Sequence, residues 1–186
     1  MNPNLINTLI TTGVPSAISL IGFLITTMSL KKNFKNELEK NRDTVALEKM
    51  STIPYEVLSL FDNMMDAESL NNKQQKMKQE DNLKNFKKLM NTIYSYGSID
   101  AIKIASLMQK ENYEAAKLKG NRDNYRMMSV LILLATQIKY DVTSVAVSPK
   151  YWFEMRLNDF TTNQHKFAEA NNKLIDELNL NNSFKI

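Results

Sequence analysis

The chain has 186 residues and a formal net charge of +4, and it contains no cysteine, one histidine and four glycines. The missing cysteine excludes thiolate nucleophiles and cysteine-ligated zinc sites, and four glycines leave no room for a phosphate-binding glycine-rich loop. Few Gly and Pro residues beside abundant Leu, Lys, Asn, Met and Glu are typical of long helices. No segment shows sustained alternation of apolar and polar residues, so the sequence predicts an all-α fold.

The first part of the chain, residues 1–30, contains no charged side chain. Residues 5–30 in a helix would extend roughly 39 Å at ~1.5 Å per residue, against a hydrocarbon core of about 30 Å. We therefore expect residues 1–30 to form a single N-terminal transmembrane helix that anchors the protein. A cleaved signal peptide and a buried core helix are the alternatives. The signal peptide lacks a basic start and an A-x-A site, and core helices rarely run this long without a charge.

Basic residues follow the charge-free run, and none precedes it. Because positive charge is retained on the cytoplasmic side, we expect a single-pass protein of the cell membrane, with its N-terminus outside and its C-terminal domain cytosolic. Contact with anionic lipid head groups is expected from the membrane-proximal basic cluster, which consists of Lys31, Lys32, Lys35, Lys40 and Arg42. Gly13 and Ala17 place two small residues on one helix face, which leaves a homo-oligomer open.

The rest of the chain divides into a stalk, a domain and a tail. Residues 31–50 are mostly charged, with a thin apolar line at Phe34, Leu38 and Val45, and they predict a solvated juxtamembrane stalk helix. Residues 51–178 are predicted to form one cytosolic multi-helix bundle, and residues 179–186 a frayed tail.

Apolar residues at helical spacing place the helices of the cytosolic domain. In chain order, helices are predicted from Pro54, from Leu83 to Gly97, from Ile99 to about Leu118, over 122–140 and over 162–178, with residues 71–82 as a loop or an exposed first turn. Residues 127–135 contain a single polar side chain, Ser129, so the helix over 122–140 is expected at the centre of the bundle. Gly97 suits a left-handed position after a helix, and Ser98 suits the next N-cap.

The segment YWFEMRLNDF, residues 151–160, is rich in aromatic side chains. Ser148 and Pro149 are expected to start a helix here, on which Trp152, Met155 and Phe160 share one buried side. Phe153 and Arg156 would then lie toward the edge. Because aromatic residues and arginine are enriched in binding hot spots, Phe153 and Arg156 are the candidate binding surface.

The sequence contains few residues suited to catalysis. His165 has no second histidine with which to form a helical metal site, and the pair Glu111 and Glu114 lacks matching ligands on a second helix. We therefore expect no catalytic, metal or cofactor site. The lysines between residues 73 and 88, near Phe86, favour a solvated face over a nucleic-acid site, since Glu80 and Asp81 lie among them.

Together these features predict a single-pass, membrane-anchored, cytosolic helical interaction protein without catalysis, whose partner is another protein. Enrichment in Asn and Lys over Gly and Ala is typical of an AT-rich bacterial genome. A phage, plasmid or envelope role at the inner membrane face would fit that origin. Two alternatives stay open: a membrane-tethered nucleic-acid-binding protein, and an enzyme with an unfamiliar site that acts on lipid or nucleotide.

Overall fold

A computed structural model describes the backbone of residues 14–66, 72–117 and 123–186, and the side chains of residues 25–63, 80–114 and 123–186. These residues form α-helices and one short 3₁₀ helix, without any strand among them, so the all-α prediction is confirmed. The helices are α1 (Val14–Met50), α2 (Ile53–Asp66), α3 (Asn72–Tyr96), α4 (Ile99–Lys117), α5 (Asn124–Thr143), α6 (Lys150–Arg156) and α7 (Phe160–Leu178), followed by the 3₁₀ helix Asn182–Phe184.

The chain divides into two units, residues 1–45 and residues 46–186. Helix α1 supplies the described part of the first unit and continues without a break through the predicted junction of anchor and stalk. Its side chains are exposed from Lys31 to Val45, as expected for a solvated stalk helix. The last residue of α1, Met50, belongs to the second unit and is buried in its core.

Of the predicted anchor, residues 1–30, the structure describes the backbone from Val14 and the side chains only from Ile25. Among the helices of the described ranges, none is both long enough and apolar enough to cross a membrane. The transmembrane helix is therefore not confirmed.

In the second unit, six helices form a bundle around α5. Helix α5 packs against α2, α4 and α7, and its middle is buried on every side: Ser129, Val130, Leu131, Ile132, Leu133, Leu134, Ala135, Gln137 and Ile138. The prediction of a central helix within residues 122–140 is confirmed. Apolar residues all round a helix require packing partners on all faces, which is what the surrounding helices provide.

The ends of the inner helices are capped by local polar contacts. Asp123 caps α5 by accepting from the backbone N–H of Arg126, and Ser98 caps α4 by accepting from the N–H of Ala101 at 3.1 Å. Gly97 precedes this cap, but the left-handed conformation predicted for it is not the reason. Its φ is not left-handed, but a Cβ at this position would lie 2.6 Å from the carbonyl oxygen of Ile93. A close approach of the backbone, not a positive φ, therefore requires glycine here.

The aromatic segment forms two helices instead of one. Helix α6 ends at Arg156, and Phe160 is the first residue of α7. Phe153 is fully buried and stacks on Phe160 with ring centroids 5.7 Å apart. It also lies 4.6 Å from the ring of Phe167. The prediction that Phe153 lies at an edge is therefore wrong, because the break before Phe160 removes the helical register on which that prediction depended.

Two further predictions for this segment can be compared with the structure. Trp152 is half-buried and packs edge-on against Phe61 of α2, with ring centroids 5.3 Å apart. Met155 was expected on the buried side but is 75% exposed. Phe160 is buried as predicted, although it reaches the core from α7 and not from the helix of Trp152.

Of the two alternatives predicted for residues 71–82, a loop or an exposed first turn, the loop is wrong, because helix α3 already begins at Asn72. The stretch contains glutamine, lysine and glutamate, whose long side chains favour helix and need no burial. A predicted apolar stripe from Leu83 to Ile93 is only partly correct. Leu83 is exposed, and Leu89 is buried beside Ile93.

The C-terminal residues are packed, and the prediction of a frayed tail over 179–186 is wrong. Leu180 and Phe184 are buried, and the side chain of Asn171 donates to the carbonyl oxygen of Phe184 at 2.9 Å. Asn172 donates to the carbonyl of Ile186 at 3.0 Å and accepts from its N–H at 2.9 Å. These two asparagines of α7 form hydrogen bonds with backbone groups of the tail. Their side chains satisfy those groups as the backbone of a neighbouring strand would.

We predict that Phe153→Ala lowers the free energy of unfolding by about 3–5 kcal/mol, because it removes a fully buried ring and leaves a cavity. Trp152→Ala removes a larger but half-buried ring and should cost less. Urea unfolding of both variants beside wild type measures the difference. A greater loss for Trp152→Ala would contradict the placement of Phe153 at the centre of the aromatic cluster.

Candidate functional site

A groove lies on the bundle between α3 and α4, and we call it the α3–α4 groove. It has a volume of about 600 Å³. Its lining is mostly apolar and aromatic: Met90, Ile93, Tyr94, Ile102, Ala105, Ser106, Gln109, Lys110, Tyr113 and Glu114. From Ile102 to Tyr113, α4 rises roughly 16 Å at ~1.5 Å per residue, about the length of three helical turns.

Two tyrosines project at the rim of the α3–α4 groove. Tyr94 is 78% exposed and Tyr113 is 63% exposed. Exposed tyrosine combines a large rigid apolar ring with a hydroxyl group, and it is therefore enriched in protein interfaces. An apolar floor with an aromatic rim is suited to binding an apolar surface. The side chains of Ser106, Gln109, Lys110 and Glu114 add polar groups to the lining.

One polar atom in the α3–α4 groove has no partner among the described residues. The side-chain oxygen of Gln109 is buried and accepts no hydrogen bond there. A buried acceptor without a donor costs about 1–3 kcal/mol.

Helix α4 forms one wall of the groove. An ion-pair network joins α4 to its other neighbours, α5 and α7. Arg126 of α5 donates from Nε to Glu111 of α4 and from Nη2 to Glu177 of α7, the latter at 2.7 Å. Burial by itself lowers the pKa of Arg126, but the hydrogen bonds that it donates to Glu177 and Glu111, with the charges of these carboxylates, outweigh that effect, and the net pKa is raised. The network therefore holds three helices together through a permanent charge.

A second polar network joins the start of α4 to the end of α5. Ser98 donates to Oδ2 of Asp141 at 2.6 Å, and Gln137 donates to Oδ1 of Asp141 at 2.8 Å. Burial raises the pKa of the Asp141 carboxyl, and the neighbouring charge of Asp100 raises it further. The two hydrogen bonds oppose this rise without cancelling it. Because Ser98 is occupied as a helix cap and its acceptor is a carboxylate without a histidine, this pair has a structural role and not a nucleophilic one.

We predict a pH-dependent contribution of Asp141 to stability. A carboxyl group whose folded pKa exceeds its unfolded value binds more protons in the folded state, so its contribution decreases as the pH rises from ~4 through the folded pKa. Asp141→Asn removes this dependence. Gln137 can still pair with the new amide, since its own Oε1 accepts from no described donor.

Urea unfolding of wild type and Asp141→Asn between about pH 4 and about pH 7 tests this prediction. Relative to the variant, wild type should lose stability with rising pH and then level off. The control is Asp43→Asn on exposed α1, which should give a curve parallel to wild type in this range. Parallel curves for Asp141→Asn would contradict the prediction.

The structure does not bring the two residues of the predicted binding surface together. Phe153 lies in the core, whereas Arg156 is exposed and pairs with Asp62 of α2. The α3–α4 groove was not predicted. The only feature of the sequence that indicates the groove is that Tyr94 and Tyr113 fall outside the apolar stripes of their helices.

All five residues of the basic cluster are exposed on α1. Lys35 lies 3.9 Å from Glu39, and Arg42 lies 3.1 Å from Asp43. Two of the five positive charges therefore have an acidic neighbour. Exposed pairs of this kind are weak, so the cluster keeps most of its capacity to attract anions.

The remaining predicted features are isolated. His165 is exposed on α7. Among the described residues, no group of three His, Asp or Glu side chains is placed to bind a metal ion. Glu111, one of the weighed carboxylates, is engaged by Arg126, and Glu114 lies 4.0 Å from Lys110.

Comparisons with known proteins add no function to this geometry. No family model matches the chain, and no curated protein and no solved structure is significantly similar to it.

Proposed function

We propose that the protein is a non-catalytic interaction protein whose helical bundle binds an amphipathic helix of a partner protein in the α3–α4 groove. The observation that carries this proposal is the apolar, tyrosine-rimmed groove of about 600 Å³. Amphipathic helices bind such grooves through apolar residues at a spacing of three or four.

The groove itself supports a helical occupant. Its floor follows α4 for about three turns, which matches a helix laid along it. The occupant should present apolar residues along this floor, because Met90, Ile93 and Ile102 line it. The Lys110–Glu114 pair provides a positive and a negative charge at one end of the groove. A charged residue of either sign on the partner could therefore form an ion pair there.

We further propose that the bundle is held at the cytosolic face of the cell membrane. This part of the proposal rests on the sequence: a charge-free run over residues 1–30 is followed by basic residues. The exposed basic cluster on α1 would then contact anionic lipid head groups, with about 1 kcal/mol per basic residue near the surface. A partner exposed at that face would meet the groove without searching the whole cell.

Site-specific photo-crosslinking in the native cells tests the groove. A photoreactive phenylalanine analogue at Tyr94 or at Tyr113 should form a discrete adduct with one protein. The matched control is the analogue at Tyr151, which is also well exposed, at 60%, but lies away from the groove. The same adduct from Tyr151, or no adduct from either groove position, would contradict the proposal.

A substitution that fills the groove gives the second test. Ser106 is exposed in the lining, so Ser106→Arg obstructs the groove without disturbing the core. We expect at least a tenfold loss of the Tyr94 adduct, since blocking a hot spot costs more than about 1.4 kcal/mol. Ser95→Arg, on an exposed position of α3 outside the groove, is the control and should leave the adduct unchanged. An adduct that nuclease removes would instead favour nucleic-acid binding.

A further inference from the structure

We propose that the exposed part of α1 pairs with the same helix of a second copy of the chain, in a parallel, in-register, two-stranded coiled coil. This inference concerns a surface distinct from the α3–α4 groove and does not depend on the proposed function. It rests on an exposed apolar stripe and on the charges that flank it.

The stripe is narrow and is interrupted by polar residues. Between Lys31 and Lys49, the exposed large apolar side chains are Phe34, Leu38, Val45 and Leu47, with exposed fractions from 46% to 63%. At 100° per residue, Phe34, Leu38 and Val45 fall within an arc of about 40°, and Leu30 lies next to it. Three such residues on one side of a solvated helix form a surface that a second helix can cover.

The stripe fits a heptad register. Lys31, Leu38 and Val45 occupy a positions, and Phe34, Asn41 and Glu48 occupy d positions. Half of this seam is polar, so the pair should be weak, but a single Asn inside a seam fixes register at some cost in stability. Counted along the sequence, the same register gives Ala17 an a position and Gly13 a d position. These small residues were predicted as a helix contact, and their side chains lie outside the described residues.

Charge complementarity selects the parallel orientation and a second copy as the partner. The e positions are all basic: Lys35, Arg42 and Lys49. Glu37 occupies a g position, and it forms no ion pair within the described part of its own chain. In a parallel coiled coil a g residue faces the e residue five positions later on the partner. Glu37 of one copy therefore faces Arg42 of the other, and the pairing occurs twice by symmetry.

Cysteine crosslinking of the full chain tests the proposal, and the absence of native cysteine makes each engineered thiol unique. Leu38→Cys and Val45→Cys should each give at least ten times more disulfide-linked dimer than the control Asn36→Cys. Position 36 lies two residues before position 38 but on the opposite side of the helix. An antiparallel pair can bring a residue next to its own copy at one level only. Equal yields at 36 and 38, or dimer at only one of positions 38 and 45, would overturn the proposal.

Charge reversal supplies an independent test in the Leu38→Cys background. Glu37→Lys opposes like charges across the pair and should lower the dimer yield several-fold at low salt, whereas the double change Glu37→Lys with Arg42→Glu should restore it. Far-UV circular dichroism confirms that each variant keeps its helix content. Failure of the double change to restore the yield would overturn the assigned g–e contact and with it the parallel register.

Discussion

The burial of α5 on every side is the constraint on which the rest of the bundle depends. A helix whose middle is apolar all round is stable only when other helices cover all of its faces. Here α2, α4 and α7 do so. We place the proposed binding on the surface between outer helices. The α3–α4 groove is such a surface, because α3 packs on α2 and α4 at the margin of the bundle.

The sequence is most informative where a signal is local. The central position of α5 follows from nine nearly uninterrupted apolar residues, and the cap at Ser98 follows from its place between two helices. The aromatic segment shows the limit of such reasoning. An argument from periodicity assumes one continuous helix, but helix α6 ends at Arg156. Phe153 is buried in the core, and Met155 is exposed. The tail could not be predicted either, since its burial depends on Asn171 and Asn172 in α7. The groove likewise arises only when α3 and α4 pack together.

Unpaired buried polar atoms distinguish the groove from the core. Four side-chain atoms of the described residues lack a partner: Gln109 Oε1, Ser129 Oγ, Gln137 Oε1 and Asn171 Oδ1. Gln137 and Asn171 each donate a hydrogen bond through their amide nitrogen, to Asp141 and to the tail respectively. The cost of each unpaired oxygen is therefore offset by a hydrogen bond from the same side chain. Ser129 lies inside the central helix, where rotation of a serine side chain lets its hydroxyl donate to a backbone carbonyl of the preceding turn. Gln109 alone among the four lines the α3–α4 groove, and its Oε1 is shielded from solvent.

The apolar stripe on α1 and the α3–α4 groove lie on different units of the chain, yet their functions would reinforce each other. A seam that is half polar pairs weakly at low concentration, and confinement of two copies to one membrane raises their effective concentration. Parallel pairing suits two chains inserted in the same direction. Each pair carries two grooves, so a partner that presents two helices would dissociate more slowly than one that presents a single helix. On these proposals the net affinity would depend on three weak contacts, with lipid, with the second copy and with the partner, and the loss of any one of them would weaken binding.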